Sequence, residues 1–401
     1  MEDLDLKTLK EIYPQKYFYK LLCRCLYFFG CGDFWYEQKG KSTIKKNLYA
    51  FWAGLSNIYL VVVILNEFLA YTRTDLLEKE KNDLMQHTFA HPAVWSKIAI
   101  LMFRKKRVML VLKRFFEETR SIYSSNAIDK AALSKSFKYC FALGFVCWST
   151  LCTAEIDGVR AHFKEGIPIR TEVTYFPTRS NSGVFINILR FFMDFHWFYL
   201  VAIMLIVDFL AISSLIFTEA KFKLLQLYFK DLEKLFNDKT KSKKEQDEDF
   251  KERFIEGIRL HEDALWSAKN IQSSLGSIYS IQIFESLSLL TICLIKLVTS
   301  ERILVLLIAN FAYIICVIVL TGTYMTAGGD ITYEASRLST AIFHCGWEIC
   351  QKKSELRPLA VLAIQRSQVP VYMTAFDIIE LSYVNYISVL RSSYSFFAVM
   401  Y

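Results

Sequence analysis

Asp377, Glu380, Ser388, Arg391 and Ser395 recur through the last apolar stretch of this chain. On 3.6 residues per turn they share one stripe with Val384. An ionisable group facing lipid costs ~2.5–3.5 kcal/mol even on the lenient insertion scale. Such a stripe therefore belongs against water or protein. The chemistry it can do is to pass ions or pair with other helices. We read it as one wall of a water-filled pore, shared with copies from other subunits because one helix cannot enclose a channel. Asp377 and Glu380 would concentrate cations at one end. At the other end the stripe turns apolar in "FFAVM", where a narrow ring gates by dewetting. A second grouping is His87 and His91, four apart on one helix face. That is metal-ligand spacing, but no third ligand is evident, and no metal or other cofactor is expected. The cysteine clusters "CRC" and "CGWEIC" lack zinc-site spacing and read as small packing residues. No phosphate-binding glycine loop, HExxH or G-x-S-x-G elbow is present, which argues against an enzyme.

The elements that must position these residues follow from composition. Of 401 residues, 53% are hydrophobic and 15% aromatic, and the formal charge is +8. That apolar content fits an all-α membrane protein better than a soluble domain. The opening "MEDLDLKTLKEIYPQK" shows no cleaved signal. Seven segments are long enough to span a bilayer: 47–71, 84–103, 137–157, 184–217, 275–299, 302–327 and 374–400. The second carries two histidines, a proline and a lysine, so it needs protein around it. Lys plus Arg number nine in 1–46, three in 71–92, ten in 104–138, five in 159–190, twelve in 221–270, two in 296–302 and five in 337–366. High and low alternate, so the charge is spread in the pattern of membrane topology, and no nucleic-acid partner is implied. The positive-inside rule puts the N-terminus in the cytosol and the C-terminus outside. That orientation, with no "DRY" or "NPxxY", opposes the alternative of a seven-helix G-protein-coupled receptor.

The expected organisation has six parts. Residues 1–46 form a cytosolic N-terminal segment, and 47–218 hold membrane helices one to four. Residues 219–273 form a cytosolic extension of two amphipathic helices around the charged tip "NDKTKSKKEQDED", which reads as disordered. Helices five and six occupy 274–327, and 328–369 a cytosolic anchor helix. The pore helix takes 370–401. Stretches 104–125 and 347–366 also read as helical, and the cytosolic helices should pack together. Pro370 cannot continue a helix, and it pushes Gln368 and Val369 out of helical geometry. The island "QRSQVP" is thus the joint between a cytosolic helix and the last membrane helix.

The C-terminal sequence "IQRSQVPVYMTAFDIIELSYVNYISVLRSSYSFFAVM" resembles insect odorant receptors. Gln365, Arg366, Ser367, Gln368, Pro370, Thr374 and Ala375 match the joint, and Ser393, Tyr394, Ser395 and Phe397 the closing motif. The gustatory receptors, the alternative within this layout, tend to end in a "T-Y…Q-F" signature that is absent here. The resemblance implies a ligand-tuning subunit of a ligand-gated, non-selective cation channel. It also implies a tetramer with the odorant receptor co-receptor, in the plasma membrane of an olfactory dendrite or cilium. Val399 then falls at the hydrophobic gate. The family holds its odorant in the outer half of the membrane. Here that region contains His87, His91 and Val94; Phe141, Gly144, Phe145 and Trp148; Phe195, His196 and Tyr199; and Tyr279 and Gln282. Gly144 lies one turn from Trp148, leaving room beside the indole for a small aromatic or cyclic volatile.

Overall fold

A computed structural model of the chain describes residues 13–37, 42–116, 123–166, 168, 173–299, 303–351 and 353–400. Residues 1–12 of the expected N-terminal segment, 117–122 of the 104–125 helix and 300–302 of the link after span five lie outside the described residues. The helices are α1 (Pro14–Phe28), α2 (Thr43–Ala70), α3 (Glu78–Phe103), α4 (Lys105–Phe116), α5 (Asn126–Glu165) and α6 (Val184–Leu232). They continue with α7 (Lys243–Thr299), α8 (Leu304–Ser336), α9 (Leu338–Phe343), α10 (Lys353–Ser367) and α11 (Tyr383–Met400). Strands β1 (Thr374–Ala375) and β2 (Ile379–Glu380) pair antiparallel between α10 and α11.

Five helical stretches are long and apolar enough to cross a membrane: Thr43–Ala70, Asn126–Lys164, Val184–Asn237, Lys243–Thr299 and Leu304–Phe343. The expected spans on α3 and α11 do not reach that standard by composition. Their polar residues need neighbours, and α3 is packed against α7 and α2, α11 against α7 and α8. The apolar faces of the outer helices are visible as exposed stripes. On α5 the stripe is Phe137, Phe141, Phe145, Trp148, Ile156, Val159 and Phe163, spaced by threes and fours and multiples of them. A large exposed apolar band of this kind marks contact with lipid.

Helices α6 and α7 hold 49 and 57 residues. At 1.5 Å per residue they run roughly 74 and 86 Å, more than twice a hydrocarbon core. Their overhangs pack with α9 and α10 into an anchor whose core is aromatic. Phe222, Phe229, Phe250 and Phe254 have no exposed surface. Gly257 lets α6 and α7 approach closely, since a Cβ there would lie 2.8 Å from the Phe229 ring. The two amphipathic helices expected within 219–273 are thus the ends of two membrane helices. The charged tip between them is also more ordered than its composition implied. Ser242 and Glu245 form a reciprocal cap, with Glu245 Oε2 accepting from Ser242 N at 2.8 Å and Ser242 Oγ from Glu245 N at 3.3 Å. Capping needs no apolar burial, so composition alone missed it. Burial pushes the thiols of Cys31 and Cys345 up to about 12, so both stay protonated packing groups.

The joint is more elaborate than a broken helix. Helix α10 ends at Ser367, ahead of Pro370, as proline geometry requires. Thr374 is then clamped by Gln272 of α7, which donates to the Thr374 carbonyl at 2.9 Å and accepts from its N–H at 3.0 Å. Phe376 N donates to Ser280 Oγ at 2.7 Å. Phe376 and Asp377 turn the hairpin with φ of 56° and 57°. Asp377 and Glu380 therefore sit in this hairpin and not on the last helix, which begins nine residues later than the 374 expected from sequence. A short hairpin is invisible to a helical periodicity test, because two-residue strands carry too few positions.

Gly328 of α8 seats Leu381, just after the hairpin: a Cβ at 328 would overlap the Leu381 Cβ. Leu381 is 1% exposed and donates its N–H to Met373 O at 2.8 Å. Gly328→Ala must displace this backbone, and overpacking of that kind costs roughly 1–3 kcal/mol. The expected result is a melting temperature lower by several degrees for the full chain in detergent. An unchanged melting curve would mean that the joint is free to shift.

Candidate ligand cavity and pore helix

Helices α3, α5, α6, α7 and α8 enclose a cavity of about 160 Å³ in the half of the bundle away from the anchor. A dry cavity of about 150 Å³ is enough for benzene. On α3 its wall is His87, Ala90, His91 and Val94, one helical face at three- and four-residue spacing. Helix α6 adds Trp197, Val201 and Met204; α7 adds Gln282, Glu285 and Leu289; α8 adds Ala309, Asn310, Tyr313 and Val317. The Trp197 ring meets the His87 ring edge-on at 4.4 Å between centroids. Asn310 is 3% exposed and its Nδ2 has no hydrogen-bond partner.

Charged groups close both ends. Toward the anchor, Lys97 of α3 has no exposed surface. Its Nζ lies 3.0 Å from Glu285 and 3.4 Å from Asp208 of α6, and it also donates to Gln282. Tyr324 of α8 donates to Asp208 Oδ1 at 2.7 Å. Four helices thus meet at one buried polar knot. At the far end Lys296 pairs with Asp83, both of them on the cavity wall. Lys79 pairs with Asp157 at 2.8 Å and Arg179 with Glu80. Beyond them, Arg190 donates to the carbonyls of Thr178 and Asn181, tying down the segment between α5 and α6.

Of the ligand residues expected from sequence, His87, His91, Val94 and Gln282 line this cavity. The others do not. Phe141, Phe145 and Trp148 are 76%, 65% and 39% exposed on the outward stripe of α5, and Phe195 is exposed on α6. The space at Gly144 faces Phe209 at 3.9 Å. Tyr199 donates to Phe29 O at 3.0 Å, and Tyr279 is buried against Tyr324. His196 is buried behind the wall, beside His91. The physical reason is common to all of them. An apolar helical face reads the same whether it meets a cavity, a neighbour or lipid.

On α11, Val389 and Ser393 are buried, while Val384, Ser388, Arg391, Ser395 and Val399 are exposed in one stripe. Val399 is 85% exposed. Arg391 has no ion-pair partner among the described residues.

A model of the family described as 7tm odorant receptor matches residues 79–394. The chain belongs to that odorant receptor family. No curated protein sequence matches it. Among solved structures it is similar to the insect olfactory receptor OR5 from Machilis hrabei, with a TM-score of 0.80 at 11% identity, covering 98% of this chain and 99% of that one. The same receptor in complex with eugenol matches with a TM-score of 0.80 at 11% identity, covering 99% of each chain. This odorant receptor is a multi-pass membrane protein by its helices and its family. Sequence reading missed Trp197, Asn310 and Tyr313 of the receptor's cavity, because they lie among equally apolar neighbours. Lys97, Asp208 and Glu285 carried a usable signal. An ionisable residue inside an apolar run implies a partner in another span.

Proposed function

We propose that this odorant receptor is the ligand-tuning subunit of an odorant-gated, non-selective cation channel. It crosses the plasma membrane seven times, on α2, α3, α5, α6, α7, α8 and α11, with its N-terminus cytosolic. The alternating Lys and Arg counts support that orientation. The observation that carries the reading is the cavity of about 160 Å³ with the unpartnered Asn310 amide on its wall. An amide donor amid apolar side chains fits a small volatile with an oxygen acceptor. The structurally similar receptor from Machilis hrabei is in complex with eugenol, a small aromatic that carries oxygen acceptors. A ligand of roughly ten heavy atoms, at ~0.3–1.0 kcal/mol per atom, reaches about 3–10 kcal/mol, so affinities around micromolar are expected. Binding, not catalysis, is the work of the site.

The exposed stripe of α11 supports a pore shared with the co-receptor in a heterotetramer. Polar Ser388, Arg391 and Ser395 would face water, and Val399 would close the outer end by dewetting. Asp377 and Glu380, in the hairpin, would stand at the inner mouth. The test is current recording from cells expressing the full chain with the co-receptor, each alone as control. Odorant-evoked cation current should require both. A polar residue at Val399 should raise ligand-free leak. Odorant responses that persist without the co-receptor and need a G protein would sink the channel reading.

A further inference from the structure

We propose that Glu67, His91 and His196 form a binding site for a divalent transition metal of the zinc class, between α2, α3 and α6. The three offer one ligand atom each, all within 4.8 Å of one another. They come from three separate helices, so no spacing motif within one helix announces them. His91 Nδ1 lies 2.8 and 2.9 Å from the two Glu67 carboxylate oxygens. His196 has no exposed surface, and neither ring nitrogen has a hydrogen-bond partner. The His91 and His196 rings stand 5.3 Å apart at 71°.

Burying a polar group without a partner costs roughly 1–3 kcal/mol by protein mutational data. A histidine that leaves both nitrogens unpaired in a membrane bundle, facing a second histidine and a carboxylate, thus needs a reason. A metal supplies one. Two imidazoles and one carboxylate are the protein ligands of one class of zinc site, with the fourth position open. Zinc bonds of about 2.0–2.1 Å to nitrogen set tetrahedral donors about 3.4 Å apart, so closing from the observed separation takes about an ångström of side-chain rotation. Glu67 already holds a carboxylate oxygen beside His91 Nδ1, so the ion would enter between these two atoms and replace their hydrogen bond. Charge also balances: one carboxylate leaves Zn²⁺ at +1, and a bound water ionised near neutral pH cancels it. His91 lines the odorant cavity as well, and His87 stacks on it at 5.0 Å, so metal at this site holds one cavity wall in place.

The test uses the purified full chain in detergent, dialysed against Zn²⁺ alone and measured by elemental analysis. One zinc per chain is expected. His196→Ala and Glu67→Gln should each weaken binding at least about ten-fold. His162→Ala and His344→Ala, on other parts of the chain, should leave it unchanged. If the first two variants fail to fold, Co²⁺ decides on the wild-type chain. A visible tetrahedral spectrum without a thiolate charge-transfer band supports the site. A wild-type chain that takes up no zinc, binding that survives loss of His196, or a cobalt spectrum dominated by thiolate overturns it.

Discussion

Replacing Lys97 with methionine should abolish most of the folded protein. Lys97, Asp208 and Glu285 are almost wholly shielded from solvent, one ammonium against two carboxyl groups, with Gln282 accepting from Lys97 and Tyr324 donating to Asp208. Removing one partner of a buried ion pair costs about 3–5 kcal/mol, because the remaining charge has neither water nor counter-ion. Folded domains hold only about 5–15 kcal/mol in total. The loss would therefore appear as low monodisperse yield and a melting temperature far below wild type, read by size exclusion and thermal melting of the full chain in detergent. The triple change Lys97→Met, Asp208→Leu, Glu285→Met should recover much of it, since replacing a whole buried charge cluster with apolar groups of similar volume is often neutral or stabilising. A single Lys97→Met chain that melts like wild type would show that the knot does not hold α3, α6, α7 and α8 together.

Trp197→Ala should raise the odorant concentration for half-maximal current at least about ten-fold, while Trp148→Ala shifts it by less than about three-fold. Trp197 lines the cavity against His87, so its loss removes ring contact from the ligand and leaves a void beside it. A difference of 1.4 kcal/mol is one decade in affinity, well within what a large ring contributes. Trp148 belongs to the exposed stripe of α5, where loss of the ring is felt by lipid. The measurement is a dose–response series in cells carrying the full chain with the co-receptor. Currents driven by an agonist of the co-receptor normalise for assembly. Equal shifts for the two variants would mean that the odorant binds elsewhere than in the α3–α8 cavity.

The amino-acid sequence by itself determined that this is a helical membrane protein of the odorant receptor family. Apolar runs and the closing motif from Gln365 to Phe397 are local properties, and local properties survive without coordinates. It also determined the break at Pro370, because a missing N–H and a steric clash act within one turn. The Val384–Val399 stripe was legible as a helical face for the same reason. What only the tertiary structure decided is which faces meet. The outward stripe Phe141, Phe145 and Trp148 and the cavity wall Trp197, Val201 and Met204 have the same apolar character, and only packing separates lipid from ligand. The clamp of Gln272 on Thr374, the seat of Leu381 on Gly328 and the meeting of Lys97 with Asp208 and Glu285 join residues tens to hundreds of positions apart. So does the approach of Glu67 to His91 and His196. Side-chain partners across helices depend on rotation and depth of every helix in the bundle, and no periodicity within one helix encodes either.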